Sequence, residues 1–519
     1  MPEYVAPGVY IEEIEAGPRP IEGVPTSTAA FLGETERGTL RPRLVTSYKE
    51  YERCFGGTFG ETKFLPCAVN GFFENGGQRL YVCRLVGTHA TPAEAAFGGY
   101  VVRAVGAGSW GTRVWARIDD STTKGPAADG SLRPVGFRLR LAYWANTAPG
   151  LQLFDPFADA ATLPRPTLVE DFDDLVTDVA SPDFHETRLR DGSALATLVR
   201  TAGVPADARP ANGAQSLAQS GTDDPNPLTV ADYEGELVSG APRSELQGLA
   251  ALDSDSYRDV ALAYAPSVGV AIAQAIIAHC ERLRFRFAVL DCDMGVSNAS
   301  ALDPRTAIQD TSYAAFYYPW LVIADPQTGA RRTVPPGGHV LGVYARTDLE
   351  RGVFKAPANE TLRGVLELEF DVNDATQDLL NPRGVNVIRL FAGGGIRVWG
   401  ARTMASNALW KYVSVRRLLI FLERSIYDGT QWVVFEANGK PLWERVTDAI
   451  RLFLRGQWRL GALLGATEDK AFFVKCDETT MTQDDIDNGR LICEVGVAPV
   501  RPAEFVIFRI FQHTARTQR

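Results

Sequence analysis

The chain has 519 residues, 45% hydrophobic and 22% charged, a globular composition that excludes an intrinsically disordered chain and has room for two to four domains. A formal net charge of -10 and a pI near 5.3 argue against a general nucleic-acid binder. The opening MPEYVAPGVYIEEIEAG lacks the basic and apolar regions of a signal peptide, and the least polar run, Ala261 to Ala278, holds Pro266, Gly269 and Gln274 and reads as a strand and a buried helix instead of a bilayer span.

In chain order, residues 1–20 read as an extended arm: Pro2, Pro7, Gly8, Gly17, Pro18 and Pro20 bracket one short β-like piece, Val9, Tyr10, Ile11, Glu12, Glu13 and Ile14. A strand is expected at 29–32 and a polar turn at 33–42. Ser47 is placed to cap a short helix carrying Tyr48 and Tyr51. A helix at 62–75, closed by Gly76 and Gly77, leads to a strand at 78–86. From 91 to 250 the texture changes to short β-like pieces (100–105, 113–118, 136–143) between Gly/Pro/Asp-rich loops. The run 201–227 holds almost no large apolar side chains and reads as a long loop or as disorder, so the region is taken as a solvent-facing insertion. A strand at 259–264, a helix at 268–283 and a strand at 285–291 make a βαβ unit with parallel strands and a right-handed crossover. Strands follow at 314–324, 365–370 and 385–391, with helices at 338–350 and 373–380. Beyond Gly395 the expectation is a helix at 413–427, a strand at 431–436 and a long amphipathic helix at 442–464. Its apolar stripe is Val446, Ile450, Phe453 and Trp458. Strands at 471–475, 491–497 and 504–511 close the chain.

The search for chemistry returns no catalytic, cofactor-binding or metal site. No HExxH, GxSxG or GxxxxGK[ST] is present. The Gly-rich run 391–400 follows a strand but lacks GxGxxG spacing and continues into a second strand-like piece, which reads as a tight turn. Five histidines in the whole chain leave few general bases, and neither His279 nor His339 sits in a nucleophile-base context. The seven cysteines, an odd number without a CxxC pair, read as reduced and mostly buried thiols of a chain made in a cytoplasm. His279-Cys280 and Asp291-Cys292-Asp293 end an apolar helix and an apolar strand and read as core packing, not metal ligands. Arg451, Arg455 and Arg459 fall four apart on one helix face. That face is either a solvated surface whose arginine stems cover apolar neighbours or a cationic strip for an acidic partner.

Spread over the chain, in order, are Tyr4-Val-Ala-Pro-Gly-Val-Tyr-Ile-Glu-Glu13, Ser109-Trp-Gly-Thr112, Tyr313-Ala-Ala-Phe-Tyr-Tyr-Pro-Trp320, Val334-Pro-Pro-Gly-Gly-His-Val340 and Lys355-Ala-Pro-Ala-Asn359. They continue with Asn386-Val-Ile-Arg389, Arg397-Val-Trp-Gly-Ala-Arg402, Phe472-Phe-Val-Lys-Cys-Asp477, Asn488-Gly-Arg490 and Pro502-Ala-Glu-Phe505. In these the sequence resembles the contractile tail sheath proteins of phages and of extracellular contractile injection systems, the insertion from 120 to 250 matching least. The resemblance implies a mixed α/β fold with a subtilisin-like core lacking the protease triad (21–90 and 251–391) and a β-rich outer insertion (91–250). It implies a smaller C-terminal domain (392–499) and terminal arms (1–20 and 500–519). It also implies a structural protein without catalysis or cofactor, assembled in a bacterial cytoplasm as hexameric rings stacked around an inner tube protein. Baseplate and terminator or cap proteins are the expected partners, with no nucleic acid and no membrane insertion. In such a lattice Val9, Tyr10, Ile11, Glu12 and Ile14 in one arm, and Phe505, Val506, Ile507, Phe508, Arg509 and Ile510 in the other, would join neighbouring copies by β-augmentation. Arg451, Arg455 and Arg459 become inner-tube contact candidates. The alternatives are a baseplate or cap component of the same machine and an oligomeric hydrolase-like enzyme.

Overall fold

The structure, a computed structural model, describes residues 20–126, 130–145, 153–158, 163–218, 220–235, 247–505 and 507. The expected arm strand at 9–14 and most of the one at 504–511 lie outside these residues. Two compact units are present: Pro25–Arg416, and a second built from the described parts of Met1–Val24 and Arg417–Arg519.

The larger unit is organised by a nine-stranded sheet. Its strands are β1 (Ala29–Gly33), β2 (Arg43–Val45), β3 (Leu80–Arg84), β4 (Leu262–Tyr264), β5 (Phe287–Asp291), β6 (Ala314–Tyr318), β7 (Glu360–Thr361), β8 (Val385–Phe391) and β9 (Gly395–Val398), in the order β7-β9-β8-β6-β5-β4-β1-β3-β2. The six strands from β8 to β3 are parallel; the edges β2, β9 and β7 are antiparallel. Central strands such as AAFLG are buried on both faces, the mark of a parallel sheet covered by helices on each side. On one face Ala30, Leu32, Ala263, Leu290 and Phe316 pack with Ile276, Ile277 and Cys280 of helix α2 (Val270–Leu283). Alternation turns Phe31, Tyr264 and Tyr317 to the other face. There Phe31 meets Phe72 of helix α1 (Leu65–Glu74), and the Tyr317 hydroxyl bonds that of Tyr344 on helix α3 (Gly337–Arg351). The βαβ unit expected at 259–291 is β4-α2-β5, with parallel register Leu262↔Phe287.

The insertion carries its own core. A four-stranded antiparallel sheet (Leu168–Leu175, Phe137–Tyr143, Val114–Asp120, Gly213–Ser216) and a three-stranded one (Ala196–Arg200, Tyr100–Ala104, Glu94–Phe97) enclose Val102, Ile118, Leu139, Leu141 and Leu198. Gly213–Ser216 lies inside the run expected to be loop or disorder. Its backbone pairs with the strand at 114–120, and the wholly buried Leu217 anchors it, so main-chain bonding replaces the missing apolar side chains.

Other expectations are corrected. The expected strand at 314–324 is two: β6 in the main sheet, and Leu321–Ala324, which pairs instead with Arg331–Val334 and Val365–Leu368. The expected strand at 431–436 is a short helical turn, Gln431–Val433, followed by a fully exposed Phe435 at φ 70°. Its β-branched content has no neighbouring strand to pack on among the described residues, and β preference is set by that neighbour. The long helix starts earlier and ends sooner than expected, at Lys440–Arg459. Gly461 (φ 85°) turns the chain out of it, and residues 462–464 then bond residues 498–500.

Candidate functional site

Two places in the fold invite a functional reading. The first is a crevice of about 870 Å³ in the larger unit, at the carboxyl ends of β1 and β3, roofed by the insertion. Open α/β sheets bind ligands near such strand ends. Here each carboxylate already has a partner. Glu34 pairs with Lys63, and Glu36 accepts from Arg113 (3.2 Å) and the Tyr143 hydroxyl. Asp223 accepts from the Ser109 amide (2.9 Å) and hydroxyl, and Asp224 from the His89 amide (2.9 Å). Arg84, whose pKa burial lowers to about 10, donates to the carbonyls of Gly38 and Ala107. Ser109 and His89 thus bond different aspartates and not each other, so these two form no nucleophile-base pair. The Ser109-Trp-Gly-Thr112 motif forms the helical turn Ser109–Arg113 at this seam. A Cβ on Gly111 would lie 2.7 Å from the Ala93 side chain and 3.0 Å from that of Ala104, so only glycine lets this turn pack against the insertion's own core. The crevice is a hydrogen-bonded joint.

The second place is the smaller unit. Helix α4 (Val413–Gly429) reaches into it, and helix α5 (Lys440–Arg459) buries Leu442, Trp443, Val446, Ile450, Phe453 and Leu454. Three of the four expected stripe residues are therefore inside. The fourth, Trp458, is half-buried, its indole N–H donating to the Gly465 carbonyl at 3.0 Å. Strands β10 (Phe472–Lys475) and β11 (Glu494–Val497) form an antiparallel pair whose β10 outer edge has no strand partner among the described residues. On its outer face the Phe473 ring covers Gly496 directly opposite, where a Cβ would sit 2.1 Å from the ring.

The arginine face divides. Arg451 and Arg455 both grip Glu468, the latter at 2.7 Å, and these bonds hold the Glu468 carboxyl down at about 2. Arg459 is exposed and has no ion pair among the described residues. Phe505 and Ile507 are 71% and 79% exposed and lie outside any strand. Val9, Tyr10, Ile11, Glu12, Ile14, Val506, Phe508, Arg509 and Ile510 fall outside the described residues.

Comparison with known proteins adds to this geometry. Residues 229–404 match the family model of the phage tail sheath protein central domain, and 405–513 that of the phage tail sheath C-terminal domain; together these span more than half of the chain. The chain belongs to the phage tail sheath family. A prophage major tail sheath protein of Pseudomonas aeruginosa is 26% identical over 284 residues, 53% of this chain and 71% of that protein. The sheath of an extracellular contractile injection system (PVC), solved in its contracted state, is 25% identical with a TM-score of 0.58, covering 99% of both chains. The contracted helical sheath of the anti-feeding prophage shares the fold, with a TM-score of 0.57 at 23% identity over 98% of this chain and 100% of that one. This is a structural sheath subunit, not an enzyme.

Two buried histidines of the sheath chain, His279 and His339, agree with a structural role. His279 Nε2 takes a hydrogen bond from the buried Arg286 guanidinium (2.6 Å), and burial with two arginines nearby lowers its pKa to about 3. His339 is buried on α3 with neither ring nitrogen bonded, and burial lowers its pKa to about 4. Buried polar anchors explain other motif residues. Asn386 bonds the carbonyls of Phe316 and Arg402 and the Arg402 amide, pinning the segment after β9 to β6 and β8. Sequence reasoning missed Glu468 and the crevice partners, because their separations in sequence follow no short spacing.

Proposed function

We propose that the chain polymerises as hexameric rings stacked around an inner tube and contracts from a metastable extended state, driving the tube through a target envelope. The observation that carries this reading is the small two-stranded sheet of the C-terminal unit. A lone pair of strands is marginal in water, and an open edge such as that of β10 is a template for another chain. Terminal arms of neighbouring copies, residues 9–14 and 505–510, are the strands that would complete it by β-augmentation. At roughly 0.5–1.5 kcal/mol net per backbone hydrogen bond, a short added strand contributes a few kcal/mol at each joint. The arms stay paired as hinges while the folded bodies exchange neighbours, and new contacts between bodies supply the free energy of contraction without nucleotide hydrolysis. The parallel sheet with helices on both faces supports reading the body as the subtilisin-like core.

The experiment is deletion of residues 501–519, with the purified chain viewed by negative-stain electron microscopy. The full chain should form long striated cylinders and the truncated chain should not. Cylinders of normal length from the truncated chain would refute the arm mechanism. Small closed rings from the full chain would assign it to a baseplate or cap.

A further inference from the structure

The last paired residues of β10 and β11 are Lys475 and Glu494, so the next step of the ladder sets Cys476 against Cys493. The bond from the Ala498 amide to the Ala471 carbonyl fixes the alternation of the ladder. By it the 475/494 pair is hydrogen-bonded and the 476/493 pair is not. At non-hydrogen-bonded positions the Cα atoms stand about 4.5 Å apart, inside the span of roughly 4.4–6.8 Å that a disulfide bridges. The two thiols lie near enough to influence each other's ionisation. Between them the loop 477–492 is folded by its own polar groups. Thr482 and Asp485 cap a short helix reciprocally, Arg490 pairs with Asp484 and Asp485, and the Thr480 hydroxyl donates to the Ile492 carbonyl at 2.9 Å. The base of this loop is thus held closed before any covalent link forms. The other five cysteines are all buried, whereas Cys493 is partly exposed.

We propose that Cys476 and Cys493 are an oxidisable pair that closes an intrachain disulfide across the base of the 477–492 loop, next to the open edge of β10. The oxidant is a small-molecule disulfide of the glutathione type. The Cys493 thiolate attacks one sulfur of the oxidant and expels one thiolate, leaving a mixed disulfide. The Cys476 thiolate then attacks the Cys493 sulfur and expels the second. The protein loses two electrons and two protons, and two molecules of the small thiol are produced. Burial raises both thiols, Cys493 to about 12, so the thiolate fraction at neutral pH is small and the reaction is slow. Such a pair stays reduced in a cytoplasm and closes over a long exposure to an oxidising exterior, behaving as a staple. Once closed, it fixes the β10–β11 hairpin in the conformation that presents its edge.

The test uses the full chain with oxidised glutathione at pH 8, followed by alkylation, trypsin and mass spectrometry. Cleavage after Lys475 and Arg490 separates the two cysteines into peptides 476–490 and 491–509, since Arg501 precedes a proline. The expected product is these two peptides joined by a disulfide that dithiothreitol breaks, with the other five cysteines alkylated. Closure should accelerate roughly tenfold per pH unit between 7 and 9, as thiolate is populated. In Cys476→Ser, glutathione should remain trapped on Cys493. In the wild-type chain, glutathione persisting on Cys493, a link to a second chain, or no oxidation of either thiol would each overturn the proposal. None of these outcomes depends on whether the chain polymerises.

Discussion

Gly338 and Gly342 face α1 from consecutive turns of α3, and they set how near the two helices lie. A Cβ on Gly342 would stand 2.4 Å from the Phe72 carbonyl oxygen and 2.6 Å from the Asn75 Cβ; one on Gly338 would stand 2.5 Å from the Ala68 Cα. These neighbours are backbone atoms and one Cβ, so no rotamer change gives relief. Ordinary contact begins at 3.4 Å, so Gly342→Ala must part the helices by about 1 Å, a gap that forfeits a quarter to a half of each dispersion well along the seam. Overpacking of this kind sits near the upper end of its usual range, about 3 kcal/mol. Alanine returns about 1 kcal/mol of helix propensity, leaving a net loss of about 2 kcal/mol. Because two units unfold in one chain, a global midpoint is ill-defined. Amide hydrogen exchange read on peptides from 65–74 and 337–351 isolates the seam. Exchange there should be about 30-fold faster in Gly342→Ala, with peptides from β10 and β11 unchanged. The Gly338→Ala/Gly342→Ala double variant should cost less than the sum of the singles, since one opening admits both methyls. Slower exchange in Gly342→Ala, the signature of propensity gained without a clash, would refute the close approach.

The buried Asp291 accepts hydrogen bonds from the Tyr264 hydroxyl (2.7 Å) and the first amide of α3 (2.8 Å), and burial raises it from 3.8 to about 7. A raised carboxyl stabilises the fold most fully below its unfolded value and loses that contribution as pH rises through the folded one. The stability of the wild-type chain relative to Asp291→Asn should therefore fall by about 1.4 kcal/mol per pH unit between roughly 4 and 7 and level off above; parallel hydrogen-exchange profiles for the two chains from pH 5 to 8 would contradict it. Since Glu468 engages both Arg451 and Arg455 while Arg459 has no ion pair among the described residues, Arg459→Glu should impair assembly on inner tubes more than Arg451→Glu, counted as extended particles by electron microscopy; equal effects would remove the tube-contact reading. Loss of cylinders on deleting 501–519 and closure of the Cys476–Cys493 bridge complete the set.

Much of the fold was legible because burial leaves a local trace. The runs at 29–33, 262–264 and 287–290 are continuously apolar, as strands covered on both faces must be, and Val270–Leu283 between two of them forced a parallel crossover. The stripe of α5 was readable for the same reason, since 3.6-residue spacing records which side faces the core. The absence of catalytic motifs and the ordered family motifs were properties of the string of letters. Tertiary structure decided whatever rests on partners far apart in sequence. Gly213–Ser216 became a strand by pairing with residues almost a hundred positions away, while 431–436, richer in β-formers, became a turn because no strand lies beside it among the described residues. Glu468 claims two of three arginines that spacing alone made equivalent, and Cys476 faces Cys493 only because the ladder register puts them there. The physical reason is that hydrophobic periodicity is a one-body signal written along the chain. Hydrogen-bond register, charge pairing and close backbone approach are two-body terms, fixed only once both partners are in place.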